Sequence, residues 1–315
     1  MAMATKALDS SPSVLPLYAK AAAPMIPGAS LLPFVPGRGK EIPDVELTLD
    51  GVVADAEQVA AYSKVCGFTL RDHLPPTYPH MLAFPLHMAV MADGSFPFGA
   101  VGLVHVENTI VQHRPIKIGE ELKLRVKPTK LQPHPKGRSF SLLTEARIGR
   151  QKVWESTSTM LRRGSGSAKS ADGTKADVER PDSARRPSGD GMTPSAEWRL
   201  GGDLGRRYGG VSGDRNPIHM HSLTARPLGF KAAIAHGMWT KARCLAAIEN
   251  RLPDAFELEV SFRKPIFLPA RVELLTAERG EEIGFAVRDS KRQTPHLDGR
   301  ARPVEQKSKT GMRSK

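Results

Sequence analysis

The sequence predicts an α+β protein made of two halves, each of which folds an antiparallel sheet around a helix. Two observations support this. Residues 164–191 contain no aromatic residue and no Leu, Ile or Met, so they divide the chain into two parts that can each bury a core. In addition, Arg114-Pro115-Ile116 recurs as Lys264-Pro265-Ile266, 150 residues later, with alternating apolar residues before and after each copy.

The C-terminal half shows the pattern more clearly. The Ala-rich segment from His236 to Asn250 contains no proline and predicts a buried helix. Residues 256–262 then alternate between apolar and polar side chains, which is the period of a half-buried strand. Residues 271–277 and 283–288 predict two more strands. A helix followed by an antiparallel meander is typical of the hotdog fold, so the whole chain is interpreted as a double hotdog.

The N-terminal half is interpreted as a diverged copy. The segment from Tyr78 to Ala92 takes the place of the central helix, but Pro85 interrupts it and predicts a shorter or kinked helix. Such a helix would open a tunnel, with Phe84 and Met88 as candidate tunnel walls that bind substrate. The predicted domains are an N-terminal extension (1–44), a degenerate hotdog (45–163), a flexible linker (164–191), a second hotdog (192–305) and a basic tail (306–315).

Composition excludes several classes of protein. The chain has 315 residues, of which 40% are hydrophobic, and a net charge of +13. Much of the excess positive charge lies near the C-terminus, and no basic stripe alternates with aromatic residues, so nucleic acid is not the expected partner. No run approaches the roughly 18 apolar residues that a membrane span needs. The two cysteines are far apart and lack a metal-ligand pattern, which predicts no metal site and a cytoplasmic location.

The strongest functional signal is an Asp-x-Asn-Pro-x-His block. Asn216 is a good helix N-cap and Pro217 a good first helical residue, so Asp214 should precede a short helix that carries His219 in its first turn. This geometry lets a carboxylate and an imidazole converge on one small volume, where they can hold a water molecule. Nothing similar occurs in the first half.

This block is similar to the signature of the hydratase-2 or MaoC-like family. The family pattern is an aromatic residue, a spacer, a small residue, Gly-Asp-x-Asn-Pro-aliphatic-His and, after five residues, Ala or Ser. The matching positions are Tyr208, Ser212, Gly213, Asp214, Asn216, Pro217, Ile218, His219 and Ala225. The resemblance covers residues 45–305 and is to the two-domain members. It implies a double hotdog that adds water to trans-2-enoyl thioesters, giving (3R)-3-hydroxyacyl thioesters, and that runs in reverse as a dehydratase in fatty-acid metabolism.

The resemblance also implies that the degenerate hotdog (45–163) binds the acyl chain and that the second hotdog (192–305) is catalytic. It implies the site residues as well. Asp214 and His219 would be the acid/base pair, and the sequence leaves open which of them is the base. The N–H of Gly237, at the start of a helix, would stabilise the thioester oxygen as it gains negative charge. Asn216 would orient Asp214 or the water. The other residues expected to shape the site or line the pocket are Tyr208, Ser212, His236 and Met238.

Two other functions remain open on the sequence alone. A hotdog acyl-thioesterase would hydrolyse the thioester, and a non-catalytic module would bind an acyl thioester or its carrier protein without the acid/base pair. No cofactor is expected, because coenzyme A is part of the substrate. The sequence does not decide between coenzyme A and an acyl carrier protein, nor whether the chain forms a homodimer.

Overall fold

A computed structural model describes residues 4–22, 39–99, 102–164 and 189–304 of the chain. Its strands form one continuous 12-stranded sheet, and two central helices pack against it, so the α+β double hotdog prediction is confirmed. The predicted linker lies almost entirely outside the described residues, and so does the basic tail.

The N-terminal half contains a strand, two helices and then the remaining strands. Helix α3 is central to this half, and α2 precedes it. The elements are β2 (Val45–Val53), α2 (Ala56–Cys66), α3 (Tyr78–Met91), β3 (Leu103–Gln112), β4 (Glu121–Pro128), β5 (Gln132–His134), β6 (Gly137–Ile148) and β7 (Gln151–Arg163).

The C-terminal half repeats this order. Helix α7 is its central helix, and two short helices stand between α4 and α7. The elements are β8 (Thr193–Leu200), α4 (Leu204–Ser212), α5 (Pro217–Met220), α6 (Ser222–Ala225), α7 (Gly237–Ile248), β9 (Phe256–Phe262), β10 (Ala270–Arg279), β11 (Glu282–Asp289) and β12 (Pro295–Pro303).

The strand order shows that the halves are related copies. The N-terminal strands run β2-β4-β6-β7-β3, and from the opposite edge the C-terminal strands run β8-β10-β11-β12-β9. Strands β3 and β9 pair antiparallel and join the two halves into one sheet. The Ile116 and Ile266 carbonyls of the repeated tripeptides both accept hydrogen bonds from the segment before the central helix, namely from Leu74 N–H and Ala235 N–H.

Helix α3 corrects one expectation. It has 14 residues, more than the 12 of α7, and it continues through Pro85. Proline removes one backbone hydrogen bond and crowds the preceding turn, but it need not end a helix that is held by packing. Ten of the side chains of α3 are buried, including those on both sides of the proline. Burial therefore keeps the helix intact.

The N-terminal extension forms two elements of the fold. Strand β1 (Ala4–Leu8) pairs in parallel with β2, and helix α1 (Val14–Ala22) packs against α3. Cys66 and Cys244 are both buried free thiols. Among the described residues, no helix is both long and apolar enough to cross a membrane.

Candidate active site

The Asp-x-Asn-Pro-x-His block forms a tight loop between two helices. Helix α4 ends at Ser212, and the cap residue Gly213, whose φ of 75° is in the left-handed region, turns the chain toward Asp214. The Asn216 side chain then caps α5 by accepting a hydrogen bond from Ile218 N–H at 3.3 Å. His219 follows in the single turn of α5, as the capping pattern predicts.

Two glycines of α4 allow this loop to lie against the helix backbone. A Cβ on Gly205 would lie 1.9 Å from the His219 carbonyl oxygen, and one on Gly209 would lie 2.8 Å from the Asp214 carbonyl oxygen. Side chains at these positions would push the loop away from α4. The two glycines therefore help to set the backbone positions of Asp214 and His219.

Asp214 accepts several hydrogen bonds. Its Oδ1 accepts from the Tyr18 hydroxyl at 2.5 Å and from Asn216 N–H at 3.2 Å, and its own N–H donates to Ser212 Oγ at 3.2 Å. Its Oδ2 lies 3.8 Å from His236 Nε2. Burial opposes the charged form, but the imidazoles of His236 and His219 and these hydrogen bonds outweigh it, so the pKa of Asp214 lies below its ordinary value.

The hydrogen bonds of the two histidines define their protonation. A carbonyl oxygen can only accept, so His219 Nδ1 carries a proton and donates to Ile234 O at 2.8 Å. By the same argument His236 Nε2 donates to Asp214 O at 2.9 Å. Burial lowers the pKa of His219, and burial together with His219 lowers the pKa of His236 to about 3. Both rings are therefore neutral at pH 7, and His219 Nε2 is left as an acceptor.

The rings of His219 and His236 stack, with centroids 3.6 Å apart and planes 24° apart. The Tyr208 ring lies 4.8 Å from that of His236, and its hydroxyl donates to Met81 Sδ at 3.2 Å. Tyr208 and His236 thus form a packed wall behind His219. This arrangement fits the structural or pocket-lining part that the sequence suggested for them.

Gly237 begins helix α7. The N–H groups of the first turn have no acceptor inside the helix, and the His236 side chain makes no capping hydrogen bond to them. The helix dipole also favours negative charge at this end. A Cβ on Gly237 would lie 3.0 Å from the Phe262 ring, so glycine keeps the helix end open to a ligand.

One cavity of about 1060 Å³ joins these groups, and both halves line it. Most of the predicted site residues reach it, whereas two do not. Met88 is buried in the core and Ser212 lies under the loop. The predicted residues that line the cavity are Asp214, His219, Asn216, Gly237, Tyr208, His236, Met238 and Phe84.

The site also contains a possible set of metal ligands. Asp214, His219 and His236 each offer one ligand atom, and these atoms lie within 4.8 Å of one another. The sequence led us to expect no metal here.

Sequence reasoning missed two features of the site. Tyr18 lies in the N-terminal extension, 196 positions before its partner Asp214, and no local motif marks it. Three histidines, His80, His87 and His105, line the N-terminal part of the cavity. Their side chains could be assigned to the cavity only after the packing of α3 against β3 and β6 was known.

The comparisons with known proteins point to one family. Residues 192–299 match the family model for the MaoC like domain. The chain is 35% identical over 274 residues to 3-hydroxyacyl-thioester dehydratase X of Mycobacterium tuberculosis, which covers 87% of this chain and 94% of that protein. The crystal structure of HtdX from Mycobacterium tuberculosis is similar at 34% identity, with a TM-score of 0.71 over 82% of this chain and 100% of that one. A MaoC-like dehydratase from Phytophthora capsici shares the fold at 20% identity, with a TM-score of 0.65 over 84% of this chain and 97% of that one.

Proposed function

The chain belongs to the MaoC-like dehydratase family, and we propose that it is a 3-hydroxyacyl-thioester dehydratase that hydrates trans-2-enoyl thioesters reversibly to (3R)-3-hydroxyacyl thioesters. One observation carries the proposal. Asp214, the acceptor nitrogen of His219 and the helix end at Gly237 line the same cavity, so a water, a proton carrier and an oxyanion donor can meet one substrate.

In the proposed mechanism a water molecule donates one hydrogen to His219 Nε2 and the other to Asp214. Both are acceptors at neutral pH, because His219 is a neutral ring protonated at Nδ1 and the pKa of Asp214 is low. This arrangement fixes the water and points its oxygen lone pair at the substrate. Positioning of this kind replaces a bimolecular encounter with a step inside one complex.

His219 then acts as the proton carrier. As the water oxygen bonds to the β carbon, its proton passes to Nε2, and the same proton is delivered to the α carbon in that turnover. Hydroxyl and hydrogen are both added from water, so the protons balance. The carboxylate of Asp214 stabilises the transient imidazolium, consistent with its raising effect on the pKa of His219. The lowered pKa of Asp214 keeps it ionised during this step.

Gly237 N–H stabilises the negative charge that develops on the thioester oxygen. The thioester oxygen gains enolate charge when the β carbon is attacked, and a donor held at a helix N-terminus stabilises that charge without reorganising. The absence of a side chain lets the thioester approach the backbone. In the dehydration direction the same groups act in reverse.

The direct test uses purified full chain with crotonyl-CoA. We expect loss of the absorbance of the conjugated thioester without release of free thiol, and chiral analysis should identify (3R)-3-hydroxybutyryl-CoA. Thiol release without hydration would identify a thioesterase instead. Binding without either reaction would indicate a non-catalytic module, and the proposal would be withdrawn.

The same assay tests the possible metal ligands. In the proposed mechanism the site works through proton transfer alone, so dialysis against EDTA should leave the hydration rate unchanged. A loss that zinc or another divalent ion restores would show that Asp214, His219 and His236 hold a metal in the working enzyme.

We further propose coenzyme A or an acyl carrier protein as the carrier and a cytoplasmic location. Lys136, Arg163 and Lys264 are exposed side chains at the cavity lining, where they can meet the phosphates that both carriers possess. The two buried free thiols fit a reducing compartment.

A further inference from the structure

The N-terminal part of the cavity has a polar wall formed by three histidines. His80 and His87 lie on α3 with ring centroids 4.9 Å apart, and His105 on β3 lies nearly parallel to His80 at 6.2 Å. All three line the cavity that contains Asp214 and His219. The mechanism above uses none of them.

Two nitrogens of this wall have no hydrogen-bond partner among the described residues. They are His80 Nδ1 and His105 Nε2, and both atoms are buried. His87 differs, because its Nε2 pairs with Thr144 Oγ1 at 2.8 Å. Buried polar atoms are almost always paired in native proteins, so the two unpaired nitrogens of this wall indicate a missing partner. A third buried nitrogen in the same cavity, His236 Nδ1 beside His219, also has no partner among the described residues. The His80 side chain is only 5% exposed, which leaves bulk solvent a poor substitute.

The three rings are uncharged at neutral pH. Burial lowers the pKa of His80 well below its ordinary value, and that of His87 to about 3 and His105 to about 4. A neutral imidazole has one donor and one acceptor nitrogen. The wall therefore suits an uncharged oxygen that can accept or donate, and it offers no cation to a carboxylate.

The position of the wall places it beside the acyl part of a bound thioester. The His105 ring packs 5.1 Å from that of Phe262, and Phe262 lies against Gly237, where the thioester oxygen is expected. The charged phosphates of a carrier would instead bind near the exposed side chains of Lys136, Arg163 and Lys264. A plain alkyl chain beside the wall would leave both nitrogens unpaired, and that is unfavourable.

We propose that the preferred substrates carry an uncharged oxygen substituent, a hydroxyl or a carbonyl, on the acyl chain beyond the reacting carbons, bound by His80 Nδ1 and His105 Nε2. The inference rests on the proposed function and narrows its substrate class. His80 and His105 are then specificity-determining residues that do not touch the reacting atoms.

The test compares enoyl-CoA substrates of equal chain length. One has a plain alkyl chain, and the others carry a hydroxyl or a ketone at successive positions from carbon 5 outward. The quantity measured is the ratio of kcat/KM for the oxygenated substrate to kcat/KM for the alkyl one, in which any general loss of activity cancels. We expect at least one position to be favoured by about tenfold or more, because pairing a buried polar atom restores what its isolation loses. The hydroxyl and ketone series show which oxygen is bound.

Variants of the full chain then test whether His80 and His105 cause the preference for oxygenated substrates. His80→Leu and His105→Leu should each reduce the ratio toward one. His80→Asn and His105→Gln should restore much of it, because their amide groups place a polar atom near Nδ1 and Nε2 respectively. Met88→Leu, a buried change on α3 away from the cavity, is the matched control and should leave the ratio as in the parent chain.

The outcomes separate the two proposals. If crotonyl-CoA is hydrated but the alkyl substrate is preferred at every position, the polar-substrate inference is wrong and the dehydratase function stands. The inference also fails if the leucine variants change both substrates alike. If no enoyl thioester is hydrated, the proposed function fails and the inference fails with it.

Discussion

The two halves share one topology, but only one contains the candidate proton-transfer residues. In each half a helix is followed by a segment that forms an isolated β-bridge next to the repeated tripeptide. The central helix comes after that segment. In the N-terminal half, six residues lie between Cys66 at the end of α2 and the bridge at His73. In the C-terminal half, 21 residues lie between Ser212 at the end of α4 and the bridge at Ile234, and they include Asp214 and His219. The candidate proton-transfer residues therefore lie in an inserted loop that the shared topology does not require.

The two central helices also differ at their N-terminal ends, and again only the C-terminal half has the feature that the proposed mechanism uses. Helix α7 begins with Gly237 and presents first-turn N–H groups to the cavity. Helix α3 begins with Tyr78-Pro79, where the Tyr78 N–H is already bonded to Pro75 O at 2.7 Å and proline has no N–H. The N-terminal half therefore lacks counterparts of both the candidate proton-transfer loop and the free N–H groups at the helix start. What it keeps is the cavity wall.

The largest expected effect comes from the proton carrier. His219→Gln should lower kcat for crotonyl-CoA by about 10²- to 10⁴-fold, because the amide cannot carry a proton between water and carbon. Asp214→Asn should lower kcat by a similar factor, since it removes the charge that stabilises the imidazolium. Steady-state kinetics on folded variants, checked by circular dichroism, measure both.

The same motif provides a matched control. His221 is two residues from His219 and is exposed, so His221→Gln makes the same chemical change away from the cavity. It should retain the kcat of the parent chain. Equal losses in the two glutamine variants would show that the change disturbs the loop and does not report on proton transfer.

The second prediction tests the difference between the helix starts. Gly237→Pro removes the N–H at the first helical position, where proline is sterically acceptable. The preceding His236 already has φ −66° and ψ 135°, which is the conformation that a following proline requires. Gly237→Ala introduces the same contact with Phe262 but keeps the N–H.

We expect kcat for Gly237→Pro to be about 10²- to 10³-fold below that of Gly237→Ala, the usual effect of removing one oxyanion donor. The ratio of the two variants isolates the N–H from the steric contact. Equal kcat values would place the oxyanion donor elsewhere in the cavity.

The third prediction concerns Tyr18, which links the N-terminal extension to the catalytic half. Tyr18→Phe keeps the ring, whose centroid lies 6.4 Å from that of Phe84, but removes the donor to Asp214 Oδ1. A hydrogen bond to a charged group is worth about 1.5–3 kcal/mol, so kcat should fall by roughly tenfold or more.

The pH dependence gives the more specific readout for Tyr18. Its hydrogen bond helps to lower the pKa of Asp214, so removing it should raise that pKa. The proposed mechanism needs Asp214 ionised, and the acidic limb of kcat/KM should therefore move to higher pH. A lower kcat with an unmoved acidic limb would mean that Tyr18 only supports packing between α1 and α3.

The geometry of the candidate catalytic loop was predictable from sequence because its information is local. A cap, a proline and a left-handed glycine set the geometry of Asp214 and His219 within a few residues. The hydrogen bond from Tyr18 and the unpaired nitrogens of His80 and His105 depend on contacts across the fold. Local periodicity carries no signal for them.

The same distinction between local and long-range information applies to the elements of the fold. Strand β9 follows its alternating pattern, whereas β12 (Pro295–Pro303) contains proline, glycine and charged residues and had no strand pattern of its own. It forms because β9 and β11 pair with it on both sides. Helix α3 continues through Pro85 for the related reason that tertiary packing overrides local propensity.

The smallest expected effect on turnover comes from the junction of the two halves. Lys241 on α7 has no exposed surface, and its Nζ donates to the Asn108 carbonyl at 3.0 Å, to Leu258 O at 3.3 Å and to Asn108 Oδ1. Asn108 lies on β3 and Leu258 on β9, so this one side chain bonds to both strands of the pair that joins the halves. Burial lowers the pKa of Lys241 well below its ordinary value.

Lys241→Met should therefore lower the free energy of unfolding by about 1–3 kcal/mol, because it leaves buried acceptors on both strands unpaired while keeping a side chain of similar length. Denaturant unfolding of the full chain measures the change. Lys64→Met on α2 removes the same charge from an exposed position and is the matched control, expected to change stability by no more than about 0.5 kcal/mol. Turnover of crotonyl-CoA by the folded Lys241→Met variant should stay close to that of the parent chain, because Lys241 belongs to the junction and not to the proton-transfer site. A stable variant with strongly reduced kcat would reverse that assignment and extend the catalytic machinery across β3 and β9.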